Sequence, residues 1–85
     1  MENLSKDQVI QKLRQLNPAL AMSQIVMYTN LYLDYTTAQK NIDENGSMVM
    51  RPKTGEPIEN PYLKIRDKAF NNLQKIRIKA DYLWS

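Results

Sequence analysis

The segment from Ser23 to Glu44 has the most regular apolar pattern in this 85-residue chain. Apolar residues recur there at alternating intervals of three and four, which predicts one long helix with an apolar seam. A second apolar patch on another face of this helix consists of Ile25, Val26, Tyr32 and Leu33. A helix with two apolar faces needs two partners. These are either two other helices of the same chain or, for one face, a neighbouring subunit. The seam residues, which form the predicted oligomer interface, are Tyr28, Leu31, Tyr35, Ala38 and Ile42.

Capping residues predict the ends of the first two helices. Ser5, followed three residues later by Gln8, forms a capping-box pattern, so the first helix is expected to begin there. Asn17-Pro18 ends it, because the residue before a proline is disfavoured in the α region. Asn45-Gly46 closes the long helix, since glycine readily accepts the left-handed conformation of a C-cap.

Residues 46–60 predict a small β-hairpin. Met48–Met50 and Pro57–Glu59 are short extended stretches, and the residues between them indicate a turn. The prolines favour strands at the edge of a sheet, and an isolated two-stranded hairpin is only marginally stable in water. The hairpin is therefore expected to lie against helices or to pair with another copy. Arg51 and Lys53 at its tip are candidates for DNA contact, or serve solubility on an exposed edge.

The last quarter of the chain predicts a basic helix. Asn60 is an N-cap residue, and Pro61 suits the first helical position, where its missing N–H has no cost. Residues 61–85 contain six Lys or Arg and only two Asp or Glu. On a helical wheel, four lysines share a stripe about 60° wide, with one asparagine next to them, which suits an anionic partner such as DNA. These candidate DNA-binding residues are Lys64, Lys68, Asn71, Lys75 and Lys79.

Composition argues against catalysis. The chain has no histidine and no cysteine, which removes Ser-His and Cys-His nucleophile pairs, thiolate metal sites and disulfides. With only two glycines there is no glycine-rich phosphate cradle. The adjacent carboxylates of Asp43 and Glu44 lie at a predicted helix end, where solvated surface is the simpler interpretation. We therefore expect no enzyme activity, no cofactor and no metal.

The chain also lacks membrane signals. No apolar run approaches the ~20 residues that a membrane-spanning helix needs. The first ten residues, MENLSKDQVI, do not combine a basic start with an apolar core, so they do not predict a signal peptide. A cytoplasmic protein without membrane contact is the expectation.

Several features occur in a specific order from Tyr35 onward. They are Tyr35 and Ala38 near a helix end, Asn45-Gly46, the passage VMRPKTGEPIENPYLKIRDKA, and a helix opened by Asn60-Pro61 that carries Ala69 and Leu73. In this order the chain resembles the small-subunit family of bacteriophage DNA-packaging terminases. The likeness covers roughly residues 28–76.

The resemblance implies a non-catalytic subunit that binds double-stranded viral DNA near its packaging start. Such a subunit assembles as a ring or other oligomer and presents DNA to the terminase large subunit, which holds the ATPase and the nuclease. A phage-encoded chain would work in the host cytoplasm. Two roles are open for the apolar tail: a hook for the large subunit, or a segment folded back on the core. The tail residues are Tyr82, Leu83 and Trp84.

Two other functions compete with this interpretation. One is a protein-only assembly adaptor whose basic face docks on an acidic partner. The other is a small transcription regulator in which the first two helices form a helix-turn-helix around Asn17-Pro18. In that case Lys6, Lys12 and Arg14 would touch phosphates. This interpretation is disfavoured, because a helix that reads the major groove should carry Arg, Lys, Asn or Gln at its start. The second helix has only Gln24 there.

These observations predict a mainly α protein with a single domain, residues 1–85. Residues 1–45 form a short helix and a long helix, residues 46–60 a small β-hairpin, and residues 61–85 a basic C-terminal helix and tail.

Overall fold

The computed structural model describes residues 4–84, except for the side chain of Tyr82. These residues form three helices and one two-stranded antiparallel sheet in an elongated molecule of 52 × 23 × 20 Å. The mainly α prediction is confirmed. In chain order the elements are α1 (Lys6–Leu16), α2 (Met22–Asn45), β1 (Met48–Met50), β2 (Pro57–Glu59), α3 (Tyr62–Gln74) and a short 3₁₀ turn (Asp81–Leu83).

Helix α1 begins with the predicted capping box. The Ser5 hydroxyl accepts a hydrogen bond from the Gln8 backbone N–H at 3.3 Å, and the Gln8 side-chain carbonyl accepts one from the Ser5 N–H at 2.9 Å. Val9 and Leu13 are completely buried on the inner face of the helix. The helix ends at Leu16, directly before Asn17-Pro18, as predicted.

Helix α2 is the central helix of the molecule. Its 24 residues span about 36 Å, and both α1 and α3 pack against it. The two apolar faces are thus largely covered within the chain, in agreement with the same-chain interpretation. The helix closes at Gly46, whose φ of 82° is favourable for glycine because it has no Cβ.

The hairpin has the predicted strands. Val49 pairs with Ile58 at its centre, and both side chains are half-buried on one face. Met48 and Met50 are exposed on the other face. The turn between the strands uses Gly55 at a φ of 70°, where a residue with a Cβ would be strained.

Asn60 joins the hairpin, α2 and α3. It is 1% exposed, and its side-chain oxygen accepts a hydrogen bond from the Tyr62 N–H at 3.0 Å. Pro61 already has helical dihedral angles, so Asn60 caps α3 as the sequence predicts. The amide nitrogen of Asn60 donates to the Asn41 side chain at 3.0 Å and to the Gly46 carbonyl at 2.9 Å. This one amide therefore fixes the angle between the end of α2 and the start of α3.

The core lies where α1, α3 and the tail meet the first half of α2. Its buried residues are Val9, Leu13, Ile25, Tyr28, Tyr32, Leu73, Ala80 and Leu83. The tail reaches this core because the Asn17 side chain holds the backbone of Lys79. Asn17 accepts from the Lys79 N–H and donates to the Lys79 carbonyl, both at 2.9 Å. Its amide also donates to the Leu13 carbonyl at 3.0 Å.

Asn17→Asp is expected to release the tail from the core. The substitution replaces an amide donor with a carboxylate oxygen that faces two carbonyl oxygens, at a site that is 9% exposed. We expect the free energy of unfolding to fall by about 2–3 kcal/mol, the typical cost of leaving buried polar groups without partners. Urea denaturation measures the loss. Fluorescence of Trp84, the chain's one tryptophan, reports the tail, and its emission should move to longer wavelength.

The matched control is Asn30→Asp. Asn30 is exposed on α2 and makes no side-chain hydrogen bond within residues 4–84, so the same chemical change should alter stability by less than about 0.5 kcal/mol. An Asn17→Asp protein with unchanged stability and unchanged Trp84 emission would mean that the tail does not depend on this amide.

Candidate nucleic-acid interface

Three of the four predicted lysines share one face at α3. Lys64 and Lys68 lie one turn apart on the helix, and Lys75 follows its last residue with a helical backbone conformation. With Asn71 they form a surface that we call the α3 stripe. At ~100° and ~1.5 Å per residue, the stripe is about 60° wide and about 16 Å long. It lies opposite the buried residues Ala69 and Leu73, although Lys68 at its edge also borders a recess against α2.

Lys79 does not belong to this stripe, which corrects the expectation that all four lysines line one continuous helix. α3 ends at Gln74. The backbone N–H groups of Lys75 and Ile76 donate hydrogen bonds to the carbonyls of Asn72 and Leu73, respectively, and these bonds close the last turn. The chain then leaves the helical path because Asn17 holds the Lys79 backbone. Lys79 instead lines a groove beside α1, together with Lys12, Gln15, Leu16 and Asp81.

The lysine ammonium groups are not neutralised within the chain. Over residues 4–84, Lys64, Lys68, Lys75 and Lys79 make no ion pair and no side-chain hydrogen bond. Arg66 differs from them, since its Nε contacts the Asp67 carboxylate at 3.2 Å and one of its terminal nitrogens donates to Gln39 at 3.3 Å. The lysines therefore present uncompensated positive charge to solvent.

Charge is unevenly distributed among the elements. α1, α3 and the tail together carry nine Lys or Arg against three Asp or Glu, whereas residues 43–59 carry two against four. Arg51 and Lys53 are exposed at the hairpin tip, on a different element from the α3 stripe, and their side chains have no partner over residues 4–84. The positive charge is thus concentrated on α1, α3 and the tail rather than on α2 or the hairpin.

The predicted oligomer seam lies largely against other parts of the same protomer. Tyr28 and Ala38 are buried against other parts of the same chain, so a second copy cannot reach them. Leu31, Tyr35 and Ile42 are half-buried. The three-and-four spacing identified a contact face correctly, but its main partner is α3 of the same chain.

The tail folds back on α2. Leu83 is buried in the core, and the Trp84 indole N–H donates to the Tyr28 hydroxyl at 3.0 Å. The Trp84 ring meets Tyr32 and Tyr35 edge-on, with centroids 5.2 Å apart in both pairs. Burial raises the pKa of the Tyr28 hydroxyl, and it raises the pKa of Tyr32 for the same reason. Leu83 and Trp84 therefore serve the core rather than projecting as a hook; the side chain of Tyr82 lies outside the described part.

Residues 4–84 show neither a membrane-spanning helix nor a metal-ligand cluster. No helix there combines the length and the hydropathy required to cross a bilayer. No group of three or more His, Cys, Asp or Glu side chains is arranged to hold a metal ion.

Comparison with known proteins identifies a family. Residues 7–79 match the family model described as phage terminase, small subunit. No curated protein and no solved structure matches the chain. The matched range begins in α1 and runs through α2, the hairpin and α3 as far as the Lys79 backbone that Asn17 holds. Because the match covers most of the sequence, the chain belongs to the phage terminase small-subunit family.

Proposed function

We propose that this chain is the non-catalytic subunit of a phage packaging terminase and that it binds double-stranded DNA through the α3 stripe. The observation that carries the proposal is the set of three ammonium groups, on Lys64, Lys68 and Lys75, that share one solvent face without any carboxylate partner in residues 4–84. Like charges held together repel one another in the free protein, and DNA phosphates relieve that repulsion.

The mechanism is phosphate neutralisation by a rigid element. α3 is fixed at its start by the Asn60 amide and near its end by buried Leu73, so the lysine backbone positions are set before DNA arrives. Lys64 and Lys68 are about 6 Å apart along the axis, and Lys75 is about 10 Å further. Asn71 between them adds a hydrogen-bonding group for a phosphate or a sugar.

Assembly multiplies these contacts. One copy supplies only a few phosphate contacts, so useful affinity requires several copies on one DNA molecule. In this proposal the chain forms a homo-oligomer such as a ring, recognises the viral DNA and presents it to the terminase large subunit in the host cytoplasm. Lys79, together with Arg51 and Lys53 on the hairpin tip, adds secondary DNA contacts outside the α3 stripe.

The test is a DNA-binding titration at two salt concentrations. Fluorescence anisotropy of a labelled duplex should report binding at ~0.05 M salt, and affinity should fall steeply by ~0.2 M because counterions are released from the phosphates. A protein-only adaptor predicts no DNA binding at either concentration. The mass of the native particle separates the DNA-binding alternatives, since many copies favour packaging whereas a dimer favours a transcription regulator.

A further inference from the structure

Asn45 is the only asparagine of the chain that is followed by glycine. The pair lies where α2 ends, with Asn45 as the last helical residue and Gly46 as its C-cap. Both residues are exposed, and apart from the adjacent residues no part of residues 4–84 comes within 4 Å of the place where a Gly46 Cβ would be. Water therefore has free access to the peptide group between them.

This pair of residues has a reaction of its own. The Gly46 backbone nitrogen loses its proton and bonds to Cγ of Asn45, and glycine hinders this attack least because it has no Cβ. The Cγ–Nδ2 bond breaks, and the side-chain nitrogen takes up a proton through water and leaves as ammonia, which closes a succinimide ring. One water molecule then adds to either ring carbonyl and opens the ring. The product is aspartate, or isoaspartate with a backbone that runs through Cβ and Cγ and is one atom longer.

Two hydrogen bonds at the end of α2 restrain this reaction. The Gly46 N–H donates to the Ile42 carbonyl at 2.7 Å, which keeps the proton on the attacking nitrogen. The Asn45 side-chain nitrogen donates to the Asn41 carbonyl at 3.1 Å, which directs the side chain back along the helix and away from Gly46. The reaction therefore requires the last turn of α2 to open.

The last turn of α2 is poorly stabilised by its own residues. It carries Asp43 and Glu44, both exposed, and no basic residue. Carboxylates are unfavourable there because the helix dipole is negative at the C-terminus, and helix ends are where local opening costs least. From outside the helix, the turn is held by Asn60, whose amide donates to the Gly46 carbonyl at 2.9 Å and to the Asn41 side chain at 3.0 Å.

We propose that Asn45 is a site of spontaneous deamidation and that its conversion loosens the junction between α2, the hairpin and α3. Aspartate at this position adds a carboxylate to the negative end of the helix dipole and removes the donor to the Asn41 carbonyl. Isoaspartate has the larger effect, because the extra backbone atom displaces Gly46 from its partners Ile42 and Asn60. Asn60 also caps α3, so the change reaches the start of that helix. This inference does not depend on the proposed function.

The experiment follows the native chain during storage in mildly alkaline buffer, in which more of the attacking nitrogen is deprotonated. Proteolysis and mass spectrometry measure the fraction of each asparagine that has gained about 1 Da, the difference between OH and NH₂. Asn45 should convert roughly tenfold faster, or more, than Asn30, which is exposed on the same helix but is followed by Leu31. Conversion of Asn45 no faster than that of Asn30 would overturn the proposal, and this comparison needs no variant.

Two substitutions and a denaturant test the restraint by the closed junction. Asn60→Leu removes the amide that holds the turn, so conversion of Asn45 should become several-fold faster, whereas Asn30→Leu should leave its rate unchanged. The native chain in urea gives the rate without the fold, which should be faster than in buffer. Equal rates in buffer and in urea would contradict the restraint. Asn45→Gln is the chemical control, because its longer side chain would have to close a larger ring, and the mass increase at this position should disappear.

The separated products test the effect on the junction. Ion-exchange chromatography separates the deamidated chain, which has an additional negative charge, from the native chain. The Tyr62 N–H, which donates to the Asn60 side chain at 3.0 Å, should exchange its hydrogen several-fold faster in the isoaspartate fraction, and the urea midpoint should be lower. Asn45→Asp reproduces the aspartate product alone and should show a smaller change. Identical exchange rates and midpoints in the native and isoaspartate fractions would show that conversion leaves the junction intact, which would overturn this part of the proposal.

Discussion

Asn60→Leu should lower the free energy of unfolding by about 3 kcal/mol, and this is the largest stability effect that we expect from one substitution. The change removes the hydrogen bond to the Tyr62 N–H at the start of α3. It also removes the hydrogen bonds that the Asn60 amide, itself 1% exposed, donates to the Gly46 carbonyl and to the Asn41 side chain. A lost cap costs about 1 kcal/mol, and loss of each of these two partly buried hydrogen bonds costs about 1 kcal/mol.

Thermal and urea denaturation measure this effect. In a domain of this length, about 3 kcal/mol corresponds to a decrease in Tm of roughly 12–24 °C. Asn30→Leu makes the same chemical change at an exposed position of α2 and should shift stability by less than about 0.5 kcal/mol. Asn60→Asp keeps the oxygen that caps α3 but loses both amide donors, so we expect it to be destabilised as well. An Asn60→Leu protein as stable as the native chain would show that the junction does not depend on this amide.

The elements that the sequence predicted correctly have their signals nearby in the chain. The capping box of Ser5 and Gln8, Gly46 after α2, and Asn60-Pro61 before α3 each act within a few residues. Backbone preferences and capping hydrogen bonds of this kind do not depend on distant parts of the fold. For this reason the limits of α1, α2 and the hairpin agree with the structure to about one residue.

The end of α3 was not predicted, because its cause lies 62 residues away in the sequence. The Asn17 side chain makes two hydrogen bonds to the Lys79 backbone, which keep Lys79 off the helical path. No residue near Lys79 in the sequence indicates these hydrogen bonds. A weak local signal exists in Ile76 and Ile78, since β-branched residues favour helices less than straight-chain residues do. No glycine or proline stands between Gln74 and Ala80 to mark a stop.

The spacing of apolar residues in α2 also did not predict which part of the structure covers the seam. A repeat of three and four indicates that one face is buried, whatever covers it. Ala38 is covered by the chain itself, whereas Leu31 and Tyr35 lie at the two edges of the α2–α3 contact and are only half-buried. Only the three-dimensional arrangement separates the residues used within the protomer from those that are available to a second copy.

Replacement of Lys64, Lys68 and Lys75 by Gln should cause the largest loss of DNA affinity. Each phosphate contact contributes about 0.9 to the slope of log K against log salt, so three lost contacts should flatten that slope by about 2.7 per copy. The same relation gives an affinity loss of up to roughly 10³-fold at 0.05 M salt and 10²-fold at 0.2 M salt. Fold and stability should be retained, because all three side chains are exposed and unpaired over residues 4–84.

The matched control is Thr37→Glu/Lys40→Glu, which lowers the net charge by the same three units. Both positions are exposed on α2, on the side away from α3, so a general effect of net charge would weaken binding equally in the two proteins. A specific contact at α3 predicts that the control keeps nearly the full salt slope. Unchanged affinity and slope in the lysine variant would move the DNA site away from the α3 stripe. The helix-turn-helix interpretation would then gain support, because α1 carries Lys6, Lys12 and Arg14 to meet phosphates.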